Sequence, residues 1–348
     1  MPSKFARVAL LALAGAALIY FCRSYLLQQR AAEPTYTQIQ GEIFHTFYQI
    51  KYDLPTDYSA SVDSTFDAFS HSLNPFDSTS LITAINRSTS TETDSMIRHV
   101  WRAASEISQK SGGSYDVTCS PLINAWGFGY GKEMKLDPQV IDSLLSFVGY
   151  QRIRLEGTQM LKDDPRSSIN FSSISKGYCS DLVGEMLASK GAQNYMVELG
   201  GEIAFRGTNP EGKPWRIGIN KPIEDSTGVV SDLQLILTLD RPAGGVATSG
   251  NYRNYKVVDG RKRVHTIDPR TGYPIQTEVL SATILAPSCM MADGLATACM
   301  TMPAREVPAF IKRFPGVEYL LILGNESGSG FRTQMSDGMR RLVSEPQS

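Results

Sequence analysis

Residues 194–207, "NYMVELGGEIAFRG", decide between two ways of building a chain that mixes strands and helices. A strand-like run reaches Gly200 and Gly201, a pair found where a strand breaks and another backbone or a ligand comes close. A dinucleotide-binding βαβ unit needs a third glycine and a helix directly afterwards. Neither is present, because "EIAFRG" carries on in strand-like composition.

Working outward, "INFSSISKGYCSDLVGEMLASKG" passes from a strand through a Ser-rich turn into a helix that closes at Gly191. "WRIGI" and "LQLILTL" read as strands, and so does "FHTFYQIKYDL" at 44–54. Helical spacing appears at 59–73, 94–111, 289–301 and 303–314, and again at 137–149, where Asp137 and Pro138 mark the start. "VEYLLIL" is read as the closing strand, and the Gly- and aromatic-rich stretch 111–131 as a functional loop. Strands and helices mix without βαβ alternation, which predicts an α+β fold with a mostly antiparallel sheet.

The 34 basic and 35 acidic side chains leave no field that would draw nucleic acid. Cys22, Cys119, Cys179, Cys289 and Cys299 form no CxxC pair, so neither a disulfide framework nor a zinc site is expected. The N-terminus differs from the rest. Lys4 and Arg7 precede the apolar run Val8–Cys22, and Arg23 follows. That is the layout of a secretory signal or membrane anchor. An uncleaved anchor, a lipoprotein on Cys22 and a cleaved signal all place the globular part outside the cytoplasm. The expected division is 1–27 signal or anchor, 28–40 polar linker and 41–340 a single domain.

Several short stretches carry chemistry. In "MMADGLATACM", Asp293 and Thr297 are four apart and share a helix face. Two hard oxygens suit Mg²⁺ or Ca²⁺, while a capping Asp with a back-bonding Thr explains the pair equally well. In "NFSSISKGYCSD", a Ser-rich helix start with Lys176 and Asn170 can hold an anion, or can simply be a capped, solvated helix. "INAWGFGYG" sets Trp126 among glycines, either as a stacking partner for a flat ring or as a core plug. "HTIDPRTGYPI", residues 265–275, fixes His265, Asp268 and Arg270 between prolines.

Six segments occur in one order: "YDVTCSPLINAWGFG", "ISKGYCSD", "ELGGEI", "VATSGNYRNY", "HTIDPRTGYPI" and "ADGLAT". In them the chain resembles the FAD:protein FMN transferases, the ApbE-type flavin transferases, over about residues 41–325. The resemblance implies a single T-fold-like domain that moves the FMN half of FAD onto a threonine hydroxyl of an acceptor redox flavoprotein. AMP would be released, with Mg²⁺ required. It also implies residence at the inner membrane, on the periplasmic side. Ser173 (through its carbonyl), Asp293 and Thr297 would hold the metal. Asn170, Lys176 and Ala125-Trp126-Gly127 would contact FAD, with Phe44 and Ile267 bordering its rings. His265 would be the base for the incoming threonine, braced by Asp268 and Arg270, though Arg270 touching phosphate directly is an open alternative. The chain departs from the family pattern at "FHTFY" (44–48), at Asn170 where an Asp is usual, and at Phe76 where a Tyr is frequent. Two alternatives stand beside transfer: a Mg²⁺-dependent FAD pyrophosphatase yielding FMN and AMP, and a non-catalytic flavin-binding electron carrier.

Overall fold

The structure, a computed structural model, describes residues 35–129, 134–222, 233–250, 255–258, 261–264, 266–324 and 330–346. Eight strands make one sheet in which every pairing is antiparallel. They are β1 Thr37–Ile43, β2 Thr46–Tyr52, β3 Tyr195–Leu199, β4 Glu202–Arg206, β5 Ala243–Gly250, β6 Val279–Ala286, β7 Glu318–Gly324 and β8 Phe331–Met335. Gly200 and Gly201 have φ of 65° and 102°, and Leu199 pairs with Glu202. The glycine pair is therefore a two-residue hairpin turn, which needs left-handed backbone at both positions. That turn makes β3 and β4 antiparallel neighbours and fixes the fold as α+β.

Apolar side chains occupy both faces of the central strands. Along β7, Tyr319, Leu321 and Leu323 join one core, while Leu320 and Ile322 join another. This is the period-two alternation of a sheet covered on both sides. The first core is filled by α1 (Ser59–Leu73), α2 (Ser95–Lys110), α3 (Ser175–Ser189) and α4 (Cys289–Met300). The second lies under a small three-stranded sheet that includes Trp215–Asn220 and Leu233–Leu239, and under the helix Asp337–Leu342. α4 is apolar on nearly every side and is buried accordingly.

Two glycines let α4 sit so deeply. A Cβ on Gly245 of β5 would lie 2.1 Å from the Cys289 Cα, and one on Gly177 of α3 would lie 2.3 Å from the Cys289 carbonyl oxygen. Asp181 of α3 then caps α4, accepting from the backbone N–H groups of Cys289 (2.9 Å) and Met290 (2.8 Å). Ser288 caps the same helix in the usual N-terminal way.

Several boundaries differ from the sequence reading. β1 begins at Thr37, inside the segment read as linker, because its half-exposed "TQIQGEI" lacks a strong apolar signal at a sheet edge. The stretch 111–131 contains a short helix, Ser120–Ala125, started by Pro121. β7 is not the last strand: β8 pairs with it, and a further helix follows. The helix expected at 303–314 is reduced to Val307–Ile311 with turns on either side. Cys119, Cys179, Cys289 and Cys299 are buried and unpaired. Among the described residues no helix is long and apolar enough to cross a membrane, and the run Val8–Cys22 lies outside them.

Candidate active site

The Ser-rich turn before α3 is shaped by Asn170. Its side-chain oxygen accepts from the Ser172 backbone N–H (2.9 Å) and hydroxyl (2.6 Å), and its own N–H donates to the Val117 carbonyl (2.8 Å). The turn is thereby tied to the irregular segment Tyr115–Val117. The Tyr115 phenol lies 3.0 Å from the Ser173 hydroxyl, and burial pushes the pKa of that phenol well up. So held, the Ser173 carbonyl faces α4. The Thr297 hydroxyl donates to it at 3.4 Å and lies 3.2 Å from the Ser249 hydroxyl at the end of β5.

One turn earlier on α4, the Asp293 carboxylate is buried, 3% exposed, and its Oδ2 accepts from the Gly177 backbone N–H at 3.0 Å. Gly177 is in the first turn of α3, where free N–H groups favour an anion. Burial still wins for Asp293: its pKa is raised, with Lys176 and the Gly177 N–H only partly offsetting the loss of water. Beside it, Lys176 Nζ pairs with Glu202 Oε1 at 2.5 Å. Burial opposes the ammonium charge, but the carboxylates of Glu202 and Asp293 outweigh it and raise the Lys176 pKa. Glu202 is 5% exposed, and burial pushes its pKa up to about 7. Its Oε2 is buried without a hydrogen-bond partner.

The structure thus brings together Ser173, Asp293 and Thr297, the three residues read as metal ligands, and places Asn170 and Lys176 next to them. Their donors are a carboxylate, a hydroxyl and a backbone carbonyl, with the Ser249 hydroxyl adjoining. A carboxylate left short of compensation among such oxygens suits a hard divalent cation. Among the described residues no group of three His, Cys, Asp or Glu side chains that could hold a metal occurs, so hydroxyl and carbonyl oxygens would have to complete such a set.

The two loops singled out in the sequence pack against each other. The Trp126 indole N–H donates to the Gly272 carbonyl at 2.8 Å, and the Trp126 and Tyr273 rings lie 6.0 Å apart. Ile267 is buried with Cys119, Leu122 and Val148. Ala125 is buried at the end of its short helix, and Gly127 turns the chain at φ 76°. Within the 266–275 loop, Asp268 N–H donates to the Tyr273 carbonyl (2.9 Å) and Ile275 N–H to the Thr266 carbonyl (3.0 Å). Arg270 grips Asp268 with two guanidinium contacts of 2.9 Å and a backbone N–H at the same distance. Asp268 and Arg270 therefore pair with each other within the loop. Gly272 has φ 76°, and a Cβ there would lie 2.5 Å from Ile141.

Three sequence candidates remain, His265, Phe44 and Phe76. His265 lies outside the described residues. Phe44 sits with His45 in the β1–β2 turn, both at positive φ, and packs on Phe69 (5.2 Å) and Phe66 (6.2 Å) of α1. Phe76 follows α1 and is 67% exposed. Sequence reasoning passed over Tyr115 and Glu202 and gave Ser249 no role. The two-glycine turn was the available signal for Glu202, because whatever follows such a turn is set at a fixed height.

The antiparallel α+β sheet thus carries a buried oxygen-donor cluster where α3 meets α4, and comparison with known proteins assigns such a chain to the flavin-transferase class. The chain belongs to the ApbE family, whose model matches residues 44–321. It is 33% identical over 320 residues to an FAD:protein FMN transferase of Vibrio cholerae, covering 88% of this chain and 92% of that one. A second FAD:protein FMN transferase, from Klebsiella pneumoniae, is 31% identical and covers 99% of both chains. Among solved structures, the flavin transferase ApbE from Vibrio cholerae superposes with a TM-score of 0.77 at 31% identity, over 88% of this chain and 99% of that one. The apo flavinyl transferase ApbE of Pseudomonas stutzeri also reaches 0.77, at 30% identity.

Proposed function

We propose that this chain transfers the FMN moiety of FAD to a threonine hydroxyl of an acceptor flavoprotein, with AMP as the leaving product. In that step the threonine oxygen forms a bond to the FMN phosphorus. The bond from that phosphorus to the bridging oxygen breaks, and the oxygen leaves with AMP. The threonine proton passes to a base, the role assigned to His265. The observation that carries this reading is the convergence of Asp293, Thr297 and the Ser173 carbonyl, in a chain with the ApbE fold and FMN-transferase relatives.

Asp293, Thr297 and the Ser173 carbonyl would hold Mg²⁺. When bound, that ion supplies charge neutralisation to the diphosphate oxygens. Lys176, in the first turn of α3, adds an ammonium within reach of the same charge. Trp126, held by Gly272, offers an aromatic face to a flat ring, and Asp268–Arg270 keep the loop that carries His265 in one shape. The apolar run Val8–Cys22 between Arg7 and Arg23 supports tethering at the inner membrane with the domain on the periplasmic side.

Incubation with FAD, Mg²⁺ and a purified acceptor domain tests the reading. A fluorescent flavin should stay on the acceptor through denaturing electrophoresis. Free FMN and AMP with an unlabelled acceptor would indicate pyrophosphatase activity instead, and intact FAD would indicate a carrier.

A further inference from the structure

Lys176 is next in sequence to Gly177, whose N–H holds Asp293, so its ammonium stands between two buried carboxylates. It pairs with Glu202 and not with Asp293, although the Asp293 charge acts on it as well. Glu202 is well placed to win that competition. It is the first residue after the Gly200–Gly201 turn, and its backbone carbonyl accepts from the Ser180 hydroxyl of α3 at 3.1 Å. The carboxylate is thereby fixed against the helix that bears Lys176. One of its oxygens takes the ammonium, and the other is buried with no partner, so nothing else draws the group away.

An ammonium in direct contact with a carboxylate blocks cation binding by both charge and space. We propose that Glu202 is a positioning residue that keeps Lys176 off Asp293, leaving the Asp293 carboxylate open to a divalent cation. The inference rests on the proposed metal role of Asp293. Without the Glu202 charge, Asp293 is the remaining carboxylate within reach of a flexible lysine, and the pair that forms masks the metal ligand.

The test is a double-mutant cycle on Mg²⁺ binding, read by titration calorimetry on the purified protein with the metal alone. Glu202→Gln should weaken Mg²⁺ binding about tenfold, a coupling of ordinary size for contacting charges. Adding Lys176→Met to Glu202→Gln should recover that loss, a gain several times larger than Lys176→Met gives in the wild-type background. If Lys176→Met shifts the affinity by the same factor in both backgrounds, Glu202 acts only as a distant charge and the proposal is overturned. Wild-type binding that Asp293→Ala abolishes, together with an additive cycle, would remove this inference and leave the metal assignment standing. Wild-type protein whose Mg²⁺ uptake ignores Asp293→Ala would remove both. If Glu202→Gln does not fold, Glu202→Asp, which withdraws the carboxylate by one methylene, enters the same cycle with the same two outcomes.

Discussion

Gly177→Ala is the substitution that most sharply links packing to the metal site. Helix propensity alone says it should stabilise, by about 0.5–1 kcal/mol, since Gly177 has ordinary helical backbone. The contacts say otherwise. The new Cβ would lie 2.3 Å from the Cys289 carbonyl oxygen, 2.7 Å from its carbon and 2.8 Å from the Asp293 Cβ. Ordinary contact begins at 3.4 Å, so α3 and α4 must separate by 3.4 − 2.3, or about 1.1 Å. The obstacle is helix backbone, which cannot rotate aside. Overpacking of this kind costs about 1–3 kcal/mol. Stretching the 3.0 Å bond from Gly177 N–H to a buried carboxylate adds about 1.5–3 kcal/mol. The net is a loss of roughly 1.5–5.5 kcal/mol, or about 2–9 °C in thermal midpoint at about 2.1 cal/mol/K of unfolding entropy per residue over roughly 300 residues. Differential scanning calorimetry in EDTA reads the stability, and acceptor flavinylation against Mg²⁺ concentration reads the site. The variant should melt lower and need more Mg²⁺ for half-maximal rate. A midpoint equal to or above wild type, with an unchanged Mg²⁺ dependence, would refute the reasoning about the α3–α4 contact.

Three further outcomes are expected. Asp293→Asn should abolish transfer without lowering the thermal midpoint of the metal-free protein, because it removes a buried charge that its neighbours only partly compensate; a strongly lowered midpoint would show a structural role. Burial pushes the Asp181 pKa up to about 7, above its unfolded value near 3.8, so its contribution to stability is present at acid pH and fades as pH rises from about 4 to 7; Asp181→Asn should flatten the stability–pH curve over that window, and an unchanged curve would count against the assignment. Trp126→Phe loses the indole bond to Gly272 while keeping a ring, and should raise the KM for FAD severalfold with kcat nearly intact; unchanged steady-state kinetics would place Trp126 in a packing role alone.

Much of the site was readable from the chain because its signals were local. Asp293 and Thr297 are one helical turn apart, and Asp94, Asp137 and Ser288 each cap the helix that follows them. The two glycines at 200–201 marked a break between strands, which the structure makes a two-residue hairpin turn. What escaped was tertiary. Ser249 reaches Thr297 from 48 residues away and Tyr115 reaches Ser173 from 58, through register and loop path that no short window contains. Glu202 looks like an ordinary strand residue until α3 is laid against it. β1 escaped for a different reason: an edge strand with a half-exposed pattern has little apolar periodicity to read.

Anomalous diffraction from a crystal soaked with Mn²⁺ and FAD tests the metal assignment most directly. The ion should appear within about 2.5 Å of the Asp293 carboxylate and the Ser173 carbonyl, with the FAD diphosphate on its open side. A peak bound elsewhere, or a diphosphate lying away from α4, would contradict it.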